Sequence, residues 1–172
     1  MNPSDQVRPT LCNVVPGDQS GDMHDDWRAN LVESTDEVRT IARAAKRIAV
    51  LGIKTEKQSG QPAFYVAAAL QRAGVEVVPV PVYYPDVTEI LGVPVVRRVV
   101  DVPGPIDIVD VFRRSEDVPG HLDDLLAATP KCVWLQSGIR NDQVAEALAR
   151  AGIRVVQDRC LMVEHRIAVG GG

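Results

Sequence analysis

The chain has 172 residues, of which 45% are hydrophobic and 24% charged, and a net charge of −4. This is the composition of one globular domain whose core needs no metal or disulfide support. The acidic balance argues against a broad nucleic-acid-binding surface but leaves room for a local basic pocket. Cys12, Cys132 and Cys160 are odd in number and share no CxxC spacing, so neither a zinc site nor a disulfide framework is expected. No signal-peptide pattern and no long apolar run is present, and the expected setting is the cytoplasm, with no membrane partner.

Residues 1–29 are rich in Asp, Pro, Gly and Asn and carry isolated apolar residues without a period. The expectation is a flexible N-terminal extension. The alternative is an arm docked on a neighbouring subunit through Leu11, Val14, Val15 and Trp27. Ser34 and Glu37 have capping-box spacing, and Val38, Ile41, Ala42 and Ala45 follow at helical intervals. Ile48 to Ile53 reads as the first strand, and Pro62 suits the first turn of a helix that Gly74 closes. Val75 to Val80 is the second strand; Pro81 and Pro85 then enforce a loop, and Thr88 to Leu91 suggests one helical turn. Pro94 to Val96 is a short strand candidate, and Ile106 to Phe112 a stronger one, interrupted by Asp107 and Asp110.

Val118 to Ala128 reads as a helix weakened by Gly120, and Cys132 to Leu135 as a strand. Asn141 caps a helix that Gly152 ends, Ile153 to Val156 is the last strand, and residues 170–172 form a disordered tail. Helices alternate with continuously apolar strands, as in a parallel sheet covered on both faces. The expected fold is therefore a Rossmann-like three-layer α/β sandwich over residues 30–169, with a mostly parallel sheet of five or six strands.

Ligands of such sheets sit beyond the carboxyl ends of the strands. The first loop, from Gly52 and Ile53 to Pro62, carries Lys54, Lys57, Ser59 and backbone N–H groups suited to a pyrophosphate. It keeps one leading glycine and lacks the G-x-G-x-x-G spacing of a dinucleotide fingerprint. The second strand runs into Pro81 and Val82, then Tyr83 and Tyr84, with no carboxylate for a ribose until Asp86. Those residues offer an apolar wall for a base, or merely pack at a sheet edge.

Phe112, Arg113 and Arg114 place two guanidinium groups past a strand end, to meet a phosphate or to pair with Glu116, Asp117 or Asp123. Gln136, Ser137 and Gly138 follow another strand, where glycine permits close backbone approach. After the last strand come Asp158, Arg159, Cys160, Glu164 and His165. Cys160 is the weak candidate for a catalytic thiol, against the plainer reading of an inert packed cysteine. The histidines lack ligand spacing, and no metal site is expected.

Five segments, in this order and spacing, carry a family resemblance: Ile48–Gly52, Val77–Val80, Ile108–Arg114, Val133–Ile139 and Asp158–His165. From about Asp36 to Ile167 the chain resembles the small stand-alone CoA-binding domain proteins. These are relatives of the CoA-binding domain of the succinyl-CoA synthetase alpha subunit. The resemblance implies CoA or acyl-CoA along the carboxyl edge of the sheet, its diphosphate on the loop beginning at Gly52 and its adenine side near the end of the second strand. The loops at Phe112–Arg114 and Gln136–Gly138 would close over the rest. Two departures stand out: Pro81-Val82 replaces the family's usual Asn-Pro, and the first loop is longer and carries Lys54 and Lys57.

Without a convincing nucleophile–base pair, the leading expectation is a non-catalytic CoA or acyl-CoA binding protein, a carrier, sensor or regulatory module. The second is a CoA-dependent enzyme or a CoA-thiol redox protein using Cys160, and the third a nicotinamide-nucleotide-binding redox sensor. A homodimer is also expected, because small sheet domains often cover an edge with a partner.

Overall fold

A computed structural model describes residues 26–170. Five strands form the central sheet: β1 (Arg47–Leu51), β2 (Glu76–Val80), β5 (Ile108–Val111), β6 (Cys132–Leu135) and β7 (Arg154–Val156). Their order is β2-β1-β5-β6-β7, and every pair is parallel. A short antiparallel hairpin, β3 (Glu89–Ile90) and β4 (Val93–Pro94), lies outside it.

Side chains alternate across each strand, and two apolar layers result. Ile48, Val50, Val77, Ile108, Trp134 and Val156 pack into one layer with α1 (Thr35–Ala44), α2 (Pro62–Arg72) and α5 (Leu161–Gly170). Ala49, Leu51, Val78, Val109, Val133 and Val155 pack into the other with α3 (Leu122–Ala128) and α4 (Asp142–Arg150). The expected three-layer sandwich is thus present, with five strands and no antiparallel member.

Several local expectations need correction. Ser34 makes no side-chain cap; only its carbonyl accepts from Val38 N, so the capping box with Glu37 does not form. Thr88 to Leu91 is not a helical turn, because Glu89–Ile90 pairs across Leu91-Gly92 with Val93–Pro94, and both turn residues have positive φ. Gly120 splits the expected helix: Val118–His121 is a 3-10 turn, and α3 begins only at Leu122. Gly170 closes α5, so the expected tail is helical at its first residue; 171 and 172 lie outside the described residues.

Of the expected N-terminal extension, residues 1–25 also lie outside the described ones, and with them Leu11, Val14 and Val15. Asp26–Asn30 is built into the domain as a 3-10 turn against α4. The Trp27 ring has the guanidinium groups of Arg28 and Arg150 each 4.4 Å from its centroid, and Asn30 Nδ2 donates to Ala149 O at 2.9 Å. Val32 N then donates to Val155 O, covering part of the β7 edge. No helix among the described residues is long and apolar enough to cross a membrane.

Candidate binding site at the strand carboxyl ends

The strand order reverses at β1, whose neighbours are β2 on one side and β5 on the other. At such a point successive crossovers leave to opposite faces, and a crevice opens beyond the carboxyl ends. The loops after β1 and β5 meet there. Gly52 has φ +83°, and a Cβ at this position would overlap the carbonyl oxygen of Phe112. Only glycine lets the two loops cross this closely.

The first loop is folded on itself rather than open. Thr55 N and Oγ1 both donate to Gln58 Oε1, at 3.3 and 2.6 Å, around a 3-10 turn at Glu56–Gln58. Gly52 N donates to Val80 O, Lys54 N to Ala63 O, Gln58 N to Thr55 O and Gln61 N to Gln58 O. These five backbone donors are spent within the protein, so only part of the expected row of N–H groups is open to a ligand. Ile53 turns its side chain into the core, whereas Lys57 and Ser59 are exposed on the outer rim. Lys54 turns inward, with Nζ 5.1 Å from the Tyr83 ring centroid and 5.7 Å from that of Tyr84.

Tyr83 lines one of two clefts, and Arg113, which it meets, lines the other. Arg113 Nη1 donates to its hydroxyl at 3.2 Å and the guanidinium lies 5.3 Å from the ring centroid, so Tyr83 sits among two cations. That hydrogen bond, and then the positive charge of Arg113, hold the phenol below its ordinary pKa. The ring is 53% exposed, an accessible aromatic surface beside cationic groups.

The cleft that Tyr83 lines is about 530 Å³ and is also lined by Leu51, Pro81, Val82, Pro85, Arg97 and His121, among others. Arg97 donates to the carbonyls of Tyr84, Pro85 and Val87 and so fixes the segment after β2. Burial, then the charge of Arg113, lowers the His121 pKa. No carboxylate stands at the end of β2.

The other cleft is about 540 Å³. Its walls are the first turn of α2, with Gln61, Pro62, Ala63 and Tyr65; the loop Phe112, Arg113 and Arg114; and the loop Gln136 to Ile139, with Cys160 at the base. The positive end of the eleven-residue α2 therefore borders the cleft. Arg113 pairs with Asp117 at 3.4 Å, and Arg114 with Glu116 at 3.3 Å and Asp117 at 2.9 Å. The ion pairs expected as the plainer reading of these arginines do form, but they leave Arg113 Nε buried without a hydrogen-bond partner. Arg114 is 73% exposed, and its exchange with solvent makes those pairs weak.

The wall at Gln136–Ile139 is held from behind. Asp158, with φ +55°, accepts from Gly138 N at 2.7 Å, and Gln157 Oε1 accepts from Asn141 N at 2.8 Å. Glu164 binds both Arg39 and Arg159, each at 3.2 Å, and locks the start of α5 against α1. Trp134 Nε1 donates to Arg159 O, which fixes the residue before Cys160.

Of the sequence-derived candidates, Phe112, Arg113, Arg114, Gln136, Ser137 and Gly138 share one cleft, Pro81 and Val82 line the other, and Gly52 and Lys54 lie at the junction. Sequence reasoning missed Ala63, Tyr65 and Val66 of α2 and the two cations against Tyr83. It also read α5 only as a segment, because Leu161 to Gly170 shows little amphipathic period against a covered face.

Cys160 is half-buried and lines the cleft, while Cys132 is buried and its thiol is pushed up to about 12 by burial. Among the described residues no hydrogen bond joins Cys160 to a histidine or carboxylate, and no cluster could hold a metal.

A parallel sheet with a cation-rimmed, half-apolar crevice at its switch point defines a nucleotide-binding class of α/β domain. Residues 46–166 match the CoA binding domain family, and the chain belongs to it. It is 37% identical over 131 residues to YneT of Bacillus subtilis (strain 168), an uncharacterized protein, covering 76% of this chain and 93% of that one. The structure of cell-free ID.343 from Thermus thermophilus superposes with a TM-score of 0.71 at 42% identity, over 79% of this chain and 99% of that one. A hypothetical protein from Pyrococcus horikoshii OT3 gives a TM-score of 0.70 at 27% identity, over 80% and 94% of the two chains.

Proposed function

We propose that this chain binds CoA or acyl-CoA across the switch-point crevice and works as a carrier, sensor or regulatory module. The observation that carries this reading is the accessible Tyr83 ring held between Lys54 and Arg113 at the strand carboxyl ends. CoA has a nucleotide end, anionic phosphates and a long amide-bearing arm, and the crevice offers a matching partition. The adenine side lies against Pro81 and Val82, the diphosphate meets Lys54, Arg113 and the α2 N-terminus, and the arm runs past Phe112 and Gln136 toward Cys160. Arg114, Ser137 and Gly138 border that course, with Lys57 and Ser59 on the outer rim near the phosphates.

The missing carboxylate after β2 departs from the usual nicotinamide site, although Asp123 and Asp124 line the same cleft from the other side. A binding role also fits a cleft in which, among the described residues, no hydrogen bond joins the thiol to a histidine or carboxylate. Calorimetric titration with CoA, acetyl-CoA, NADH and ATP in parallel tests the reading. Saturable binding of CoA or acetyl-CoA, with NADH and ATP at least about tenfold weaker, is expected, a gap of about 1.4 kcal/mol. Preference for NADH would overturn it.

A second reading rests on the position of Cys160 in the same cleft. With an added two-electron oxidant such as a disulfide, the Cys160 and CoA thiols would lose two protons and join as a mixed disulfide. Mass spectrometry of the non-reduced, oxidised protein would show the adduct. Its absence with free CoA present in excess would eliminate this reading. Homodimer formation and a cytoplasmic setting belong to the same proposal, and native mass measurement tests the first.

A further inference from the structure

Asp110 is the polar anomaly of the core. It lies at the centre of the sheet, in register with Val50 on β1 and Trp134 on β6, and is fully buried. Isolated burial of a carboxylate is costly unless the group is paired or stays neutral. No cation pairs with Asp110 among the described residues. Burial pushes its carboxyl up to about 8, so near neutral pH it is mainly an uncharged acid.

Its one partner is Gln136, whose Nε2 donates to Asp110 Oδ1 at 2.7 Å, while Oδ2 has none. Gln136 is itself 4% exposed, yet it lines the cleft beside Phe112 and Cys160. One edge of its amide is thus committed inward. The opposite edge of the same planar group carries Oε1, a pure acceptor.

We propose that Asp110 is a positioning residue that turns the Gln136 amide so that Oε1 accepts an N–H or O–H from the arm of the bound ligand. This rests on the CoA reading, in which the arm supplies amide N–H and hydroxyl donors while its phosphates lie at the cationic rim. The couple then selects for the arm and leaves the nucleotide end unaffected. A free side-chain amide would present either end to the cleft; one tethered from behind through an N–H is held with Oε1 on the opposite edge. The buried cost of Asp110 is a cost of that selection.

Two measurements test this. In the ligand-free protein, the Gln136 side-chain NH2 protons are expected to exchange with solvent more slowly than those of the half-buried Gln71 and the exposed Gln143. Asp110→Leu should abolish that protection and Asp110→Asn, which can still accept from Gln136, should keep it. Fast exchange in the wild type would overturn the proposal whatever the ligand.

Titrations with CoA and with 3′,5′-ADP, which lacks the arm, supply the second arm of the test. Gln136→Met is expected to weaken CoA binding by about 3- to 10-fold, the range for one hydrogen bond, and to leave 3′,5′-ADP within about twofold. Asp110→Leu should match it without adding to it in the double variant, and Asp110→Asn should bind as wild type. Equal losses for both ligands, or no loss with Gln136→Met, would overturn the positioning role. Wild-type protein that binds neither ligand would overturn the CoA reading itself, and the proposal with it.

Discussion

Asp110 shows how far one buried side chain sets conditions for a whole domain. Burial pushes its carboxyl up to about 8 in the folded protein, against an ordinary carboxylate value in the unfolded chain. Below about pH 4 both states carry the proton, and stability is complete. As pH rises toward about 8, the unfolded chain has released its proton while the folded one retains it, so stability falls through that window. Asp110→Asn removes the titration and keeps the shape. Denaturant unfolding at about pH 5 and pH 8 is expected to show wild type losing stability relative to Asp110→Asn, by on the order of a few kcal/mol. Parallel pH profiles for the two proteins would mean that Asp110 is charged when folded. Sequence alone showed this residue only as an interruption in an apolar strand. The partner that gives it meaning, Gln136, lies on the neighbouring strand's exit, and that adjacency comes from the β5–β6 register.

At the scale of elements, local chemistry was readable where one short segment decides the outcome. Asn141 was expected to cap α4, and its Oδ1 accepts from Val144 N at 3.0 Å. Asn141→Ala should cost about 1 kcal/mol, seen as a fall in Tm of about 2–4 °C. A shift within error would mean the cap is redundant with Gln157, whose Oε1 takes the Asn141 N–H. The expected sheet strands also reappear, Cys132–Leu135 with the same bounds and the others shifted by one or two residues at their ends, whereas the Pro94–Val96 candidate moves to Val93–Pro94 in the hairpin. Ser34 fails for a tertiary reason: Arg159 reaches Thr35 Oγ1 and Glu164 holds Arg39, so α1 is fixed by α5 rather than by its own cap. Thr88 to Leu91 fails because Glu56 Oε1, from the first loop, accepts Leu91 N and Gln71 Nε2 binds Leu91 O. Those partners are far away in sequence and invisible to a local pattern.

For the whole molecule, alternation of helix and strand foretold the layers, and the rule of carboxyl-end binding pointed to the edge of the sheet where two clefts open. What alternation does not carry is strand order, and the reversal at β1 is what brings Gly52 against Phe112 and Arg113 beneath Tyr83. The two clefts therefore required the fold, although Pro81 and Val82 in one and Phe112–Arg114, Gln136–Gly138 and Cys160 in the other were identified beforehand. A further cleft of about 460 Å³ lies around Trp27, Leu31 and Val155 at the β7 edge and reaches Arg140, Asp158 and Arg159 behind the Gln136–Ile139 loop. It provides the natural control for where a ligand goes. The most direct test of the account is a backbone amide NMR titration with CoA. Shifts are expected to cluster at Gly52–Lys54, Val82–Tyr84, Phe112–Arg114 and Gln136–Ile139, with the Trp27 cleft unchanged. Saturable shifts confined to the residues around Trp27 and Val155 would contradict it.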